Sequence, residues 1–220
     1  MSDFDASAHY FVFKDTVTSL ITEENQFTVI PACPDWTLRD ILGHFVGEFE
    51  DLRDGNTAEL GQPQWTAAQV DRHASSDLAT IKQTWDELIA AAGERAREYG
   101  AFVLPDIVTH EFDVRGALGN TDNRDTPALI AAAQFFCSIV GRGFAAANVP
   151  ALRLNFGDES LMLGEGEPAG ELRISPFETN RVVTGRRSLA QIHALDWSTD
   201  PSPWIEHISF MPPRSTDLVE

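Results

Sequence analysis

Apolar residues recur at helical spacing over the first two thirds of the chain. "FDASAHYFVFKDTVTSLITEE" predicts an amphipathic helix, with Phe4, Phe11, Val17, Leu20 and Ile21 among its apolar positions. "FTVIPACPDW" interrupts it with two prolines. Thr37 then caps a second helix, "LRDILGHFVGEFEDL", in which Asp40 takes the place of the acid of a capping box. Its stripe is Leu38, Ile41, Leu42, Phe45, Phe49 and Leu52. After a Gly/Pro-containing loop from Gly55 to Pro63, "DLATIKQTWDELIAAAGERAREYG" predicts a third long helix. "LPDIVTHEFDVRGALG" reads as a fourth, opening at Pro105 and stopping at Gly119. "TPALIAAAQFFCSIVGRGFAAAN" is nearly apolar throughout, as a helix packed against several neighbours would be.

The pattern then changes. "ALRLNFGDESLMLGEGEPAGELRIS" has short alternating runs broken by Gly, Asp and Pro, the mark of two or three strands. "PFETNRVVTGRRSLAQIHALDW" predicts one or two short helices before a proline-rich tail. The expected fold is therefore α+β. An antiparallel helical bundle spans residues 1–149 and a small α+β domain spans 150–220, with the boundary at Val149–Pro150.

The fourth predicted helix has an unusual polar face. At about 100° per residue, Asp106, His110 and Asp113 fall with Ala117 inside a sector of about 60°. That sector borders the apolar stripe of Ile107, Val114 and Leu118. On the second helix His44 lies between Gly43 and Gly47, and glycine in a helix costs about 1 kcal/mol relative to alanine. Two of them around one histidine suggest the close approach of another element. Across a bundle, His44, Asp106 and His110 would form a three-ligand site with an open position, the pattern of catalytic zinc. Asp113 either joins the ligands or orients His110 from behind. Competing readings are a core-edge histidine bonded to backbone and a first-turn Asp106 stabilised by the helix dipole.

Composition narrows the partners. A net charge of −18 disfavours nucleic acid and anionic membrane surfaces. No apolar run is expected to reach the roughly 18 residues of a membrane span. The acidic start, "MSDFDASAHYFVFKD", lacks the pattern of a secretory leader. Cys33 and Cys137 have no framework spacing, so free thiols in a cytoplasmic protein are expected.

Three segments carry a resemblance: "IPACPDWTLRDILGHFVGEFEDL", "LPDIVTHEFDVRGALG" and "TNRVVTGRRSLAQIHALDW". In their motifs, order and spacing the chain resembles the mycothiol-dependent maleylpyruvate isomerase family of actinobacteria, which belongs to the DinB-like metal-binding bundles. The resemblance implies a divalent metal, typically zinc, held by a His of the second helix and Glu-x-x-x-His of the fourth. These positions are His44, Asp106 and His110 here, with Asp106 a departure from Glu. One methylene less shortens the reach by about 1.5 Å, so the helix sits closer or Asp113 or Glu48 completes the shell. The resemblance further implies mycothiol as thiol cofactor, a small electrophilic substrate, and an arginine from the second domain. Arg186 or Arg187 of "TGRRS" would be that arginine, clamping a carboxylate; surface arginines at a helix entry are the other reading. The implied activity is thiol-dependent cis–trans isomerisation or thiol transfer. The alternative is a non-catalytic module on the same fold that binds a small molecule or senses a thiol. Cys33, with no base nearby in sequence, reads as a packed turn thiol, and Trp36 as the anchor of that turn.

Overall fold

A computed structural model describes residues 4–156 and 159–220. The first three residues of the acidic opening segment, and the Gly157/Asp158 break between two expected strands, lie outside the described residues. The protein is mixed α+β and divides into two compact units, Met1–Asn120 and Thr121–Glu220.

The first unit begins with α1 (Ala6–Leu20), capped by the Asp5 carboxylate on the backbone N–H of Ala8. Next comes a small antiparallel hairpin, β1 (Val29–Ile30) and β2 (Cys33–Thr37), where the two prolines break the helical pattern. Thr37 caps α2 (Leu38–Asp54), and the capping box with Asp40 closes as its sequence predicts. α3 (Pro63–His73), α4 (Leu78–Ala92) and α5 (Arg95–Ala117) follow.

Two helix boundaries differ from expectation. The third predicted helix ends early, at Gly93, whose φ of +58° cannot continue a right-handed helix. The fourth begins earlier than predicted and runs straight through Pro105. That proline removes one backbone hydrogen bond, and the carbonyl left without its helical donor belongs to Ala101, an exposed residue. Asp106 therefore sits in the middle of a long helix, so a first-turn dipole role is not open to it.

α3 has no counterpart in the apolar pattern. Its buried face carries Trp65, Gln69 and His73, mostly polar, so hydrophobic periodicity misses it. The core of this unit is aromatic. Trp85 is fully buried, its ring 5.8 Å from Phe45, and its Nε1–H donates to the Tyr10 hydroxyl at 2.8 Å. Phe13 meets Phe45 edge-on at 5.0 Å, which ties α1 to α2.

The second unit contains α6 (Pro127–Ala147), a sheet, and α7 (Pro176–Val183) and α8 (Leu189–His193). Its strands are β3 (Leu152–Phe156), β4 (Glu159–Leu163), β5 (Gly170–Arg173) and β6 (Asp196–Trp197), in the order β4-β3-β5-β6. β3 pairs antiparallel with β4 and parallel with β5, and the pairing sets Leu152 against Leu163 and Leu154 against Leu172. These leucines meet Val140 and Phe144 of α6, Val182 and Val183 of α7, and Trp204 in one core. Because α6 packs on α7 and β4, the expected boundary at Val149–Pro150 falls inside this unit. Among the described residues α6 alone is long and apolar enough to cross a membrane, contrary to the expectation that no segment would be. Its buried positions, from Leu129 through Phe136 to Phe144, show how that apolarity is used within the unit.

Candidate metal centre

His44 projects from α2 with only 2% of its surface exposed. The two glycines beside it are explained by α3. A Cβ on Gly47 would lie 2.6 Å from Cβ of Gln69 and 2.9 Å from its Cα, and one on Gly43 would lie 3.2 Å from Cβ of His73. The close approach brings Gln69, fully buried, against the imidazole, with Oε1 at 2.8 Å from His44 Nδ1.

The direction of that hydrogen bond follows from the next one. Gln69 Nε2 donates to Asp51 Oδ2 at 2.7 Å, while Asp51 Oδ1 accepts from Arg72 Nη2 at 2.9 Å and Asn56 Nδ2 at 3.0 Å. With its amide nitrogen turned toward Asp51, Gln69 offers His44 only an oxygen. His44 therefore donates Nδ1–H and keeps a lone pair on Nε2.

The same logic holds on α5. His110 donates Nδ1–H to Oδ2 of Asp113 at 2.8 Å, and Asp113 is 1% exposed. Its Nε2 lies near the same carboxylate as that of His44. Between them stands Asp106, with Oδ2 3.1 Å from His44 Nε2 and Oδ1 3.8 Å from His110 Nε2. Ligand atoms of the three residues all lie within 4.8 Å of one another.

Thus the three residues singled out in sequence come together, and aspartate reaches where glutamate was expected. In these tautomers two imidazole nitrogens and a carboxylate converge, a donor set that a divalent cation would satisfy. Zinc bond lengths of about 2.0 Å to nitrogen and oxygen give a tetrahedral N···O edge of about 3.3 Å. The observed 3.1 and 3.8 Å bracket that value. The donor set fits a divalent cation.

Further groups surround the trio. The Trp36 indole, expected to anchor a turn, lies 5.2 Å from the His44 ring and 5.8 Å from the His110 ring and walls the site. Glu48, one turn along α2 from His44, is buried. Burial, and then the charges of Asp106 and Asp51, push its carboxyl well above the usual carboxylate range. Asp106 is the open side, its side chain 41% exposed. Cys33 on β2 reaches Asp113, its Sγ 3.5 Å from Oδ2.

Gln69 is the functional residue that the sequence reading missed. The glycine pair did signal a close neighbour, but nothing local says which residue it is.

Arg186 and Arg187 lie in the second unit. Arg187 does clamp carboxylates, and both belong to this chain. Nε and Nη2 hold Glu178 at 2.5 and 2.8 Å, and Nη1 holds Glu220 at 2.9 Å. Arg186 Nη1 donates to the carbonyl of Thr184 at 2.8 Å.

Comparison of the chain with protein-family models, curated proteins and solved structures yields no match.

Proposed function

We propose that His44, Asp106 and His110 hold a divalent cation, zinc by ligand type, and that the protein uses it to activate a low-molecular-weight thiol against a small electrophile. The observation that carries this reading is the convergence of two Nε2 lone pairs and one carboxylate at a site partly open to solvent. In this reading the first unit is a DinB-like metal-binding bundle. The thiol is mycothiol, and the chemistry is that of the maleylpyruvate isomerase family. The helix expected as the fourth is the fifth here, because α3 is inserted to buttress His44.

Held by these residues, a divalent cation would supply the Lewis acidity that lowers the pKa of a thiol. The chain's own residues do the rest. Gln69 and Asp113 hold one proton on the outer nitrogen of each imidazole, which keeps both inner nitrogens as donors of electron pairs. Trp36 shields one side from water, and half-exposed Asp106 leaves the other side accessible. For a cis-enone substrate the thiol sulfur adds to the double bond, the resulting single bond rotates, and the same thiol leaves. The product is the trans isomer and no thiol is consumed. With other electrophiles the sulfur stays attached and the reaction is a thiol transfer.

One observation favours a second reading, a non-catalytic thiol- or small-molecule-binding module. Arg187, expected to hold the substrate, is engaged by Glu178 and Glu220. The test is zinc affinity together with turnover of maleylpyruvate in the presence of mycothiol, in wild type and in His44→Ala and Asp106→Ala. The proposal expects turnover in the wild type only, with at least about a 100-fold loss of zinc affinity in each variant. Unchanged affinity in both variants overturns the ligand set. Tight zinc binding without any turnover favours the binding module.

A further inference from the structure

The hairpin β1–β2 brings Cys33 into a second convergence that the proposed function leaves unused. Its sulfur lies 3.5 Å from Asp113 Oδ2, and the same oxygen lies 2.8 Å from His110 Nδ1. Ligand atoms of Cys33, His110 and Asp113 again all fall within 4.8 Å of one another. Zinc–ligand lengths of about 2.3 Å to sulfur and about 2.0 Å to oxygen imply a tetrahedral S···O edge of about 3.5 Å. The observed separation already has that value. The N···O pair needs to open from 2.8 Å to about 3.3 Å. Asp113 and His110 are buried, and half-exposed Cys33 gives the way in.

We infer that Cys33, Asp113 and the Nδ1 atom of His110 form a second metal site, selective for thiophilic divalent cations such as zinc, cobalt or cadmium. It lies back to back with the first and shares its histidine. Thiolate sulfur is the softer donor, so this site favours cadmium, whereas the nitrogen–oxygen trio suits harder ions. Binding forms a metal–sulfur bond, breaks the S–H bond and sends that proton to water. His110 moves its own proton from Nδ1 to Nε2 and stays neutral. That move withdraws the Nε2 lone pair from the first site. The two sites therefore compete for one imidazole, since filling both would strip it of every proton. The first site needs no proton displaced and fills first. The second fills when the first is weakened or when the ion is thiophilic.

The test is cobalt(II) absorption on the full-length protein. Cobalt bound to thiolate has a near-ultraviolet charge-transfer band that cobalt bound only to nitrogen and oxygen lacks. In His44→Ala, which disables the first site, about one equivalent of cobalt with that band is expected. His44→Ala/Cys33→Ser should lose the band and at least about tenfold in affinity, with far-ultraviolet circular dichroism unchanged. Absence of the band in folded His44→Ala, or its survival in the double variant, overturns the second site. Wild-type protein is read separately. If the thiolate band appears there too at one equivalent of cobalt, as it does in His44→Ala, then the first site does not hold the ion, the proposed function fails and this inference holds.

Discussion

Replacing Gln69 with leucine tests the tautomer reasoning on which the metal centre rests. The substitution keeps the side chain's bulk in a fully buried position but removes the acceptor 2.8 Å from His44 Nδ1 and one donor to Asp51. Asp51 keeps Arg72 and Asn56, so the larger loss falls on His44. Leaving a buried donor without a partner costs about 1–3 kcal/mol. Loss of a group that orients a metal-binding histidine weakens affinity by about 10- to 100-fold, which is about 1.4–2.8 kcal/mol. The variant is best made in a Cys33→Ser background, so that only the first trio reports. Zinc affinity is measured by competition with a chromophoric chelator, and apoprotein stability by urea denaturation. The ring nitrogen shifts of His44 in wild-type apoprotein give the tautomer directly by NMR. The expected result is a proton on Nδ1 in the wild type, and zinc binding weakened within the stated range in Gln69→Leu. A proton on Nε2, or equal zinc affinity with and without Gln69, refutes the reasoning.

Four further outcomes are expected. Gly47→Ala drives a methyl group to 2.6 Å from Cβ of Gln69, so it should lose about 1–3 kcal/mol in urea denaturation and some zinc affinity. Gly43→Ala, with its nearest contact at 3.2 Å, should come within about 1 kcal/mol of wild type, because gained helix propensity offsets the milder crowding. Glu48 is pushed up by burial and then by Asp106 and Asp51, so its protonated form favours the folded state. Its stabilising contribution is complete below the ordinary glutamate range and is lost as pH rises through the elevated value. Apoprotein denaturation midpoints followed upward from pH 4 should therefore fall in the wild type, and less so in Glu48→Gln; parallel profiles would show that Glu48 does not carry the dependence. Finally, Glu220→Gln removes the carboxylate that fully buried Arg181 and Arg187 share, whereas Arg187 keeps Glu178. About 3 kcal/mol should be lost, and a urea midpoint unchanged from wild type would contradict that.

The sequence by itself determined the local events. The Thr37–Asp40 capping box, the apolar stripe of α2 and the turn to strands after Val149 all depend on neighbours a few residues apart, and short-range patterns record them. That Asp106 and His110 share a face was also legible, because one helix turn fixes which side chains stack, whereas packing alone brings His44 of α2 to them. Helix identity was less so. Pro105 reads as a start, yet α5 passes through it, and the carbonyl that loses its donor belongs to exposed Ala101. Only the tertiary structure decided that α3 exists, since its buried face is mostly polar and gains its stability from Asp51, Arg72 and the glycines of α2. It likewise decided that Gln69 sets the proton of His44, that Cys33 stands beside Asp113, and that Arg187 spends its charge on Glu178 and Glu220. Each of these pairs is separated by at least nine residues, and Cys33 and Asp113 by 80. No local periodicity carries such information, because hydrogen bonds and ion pairs across that distance exist only once packing has chosen which faces meet.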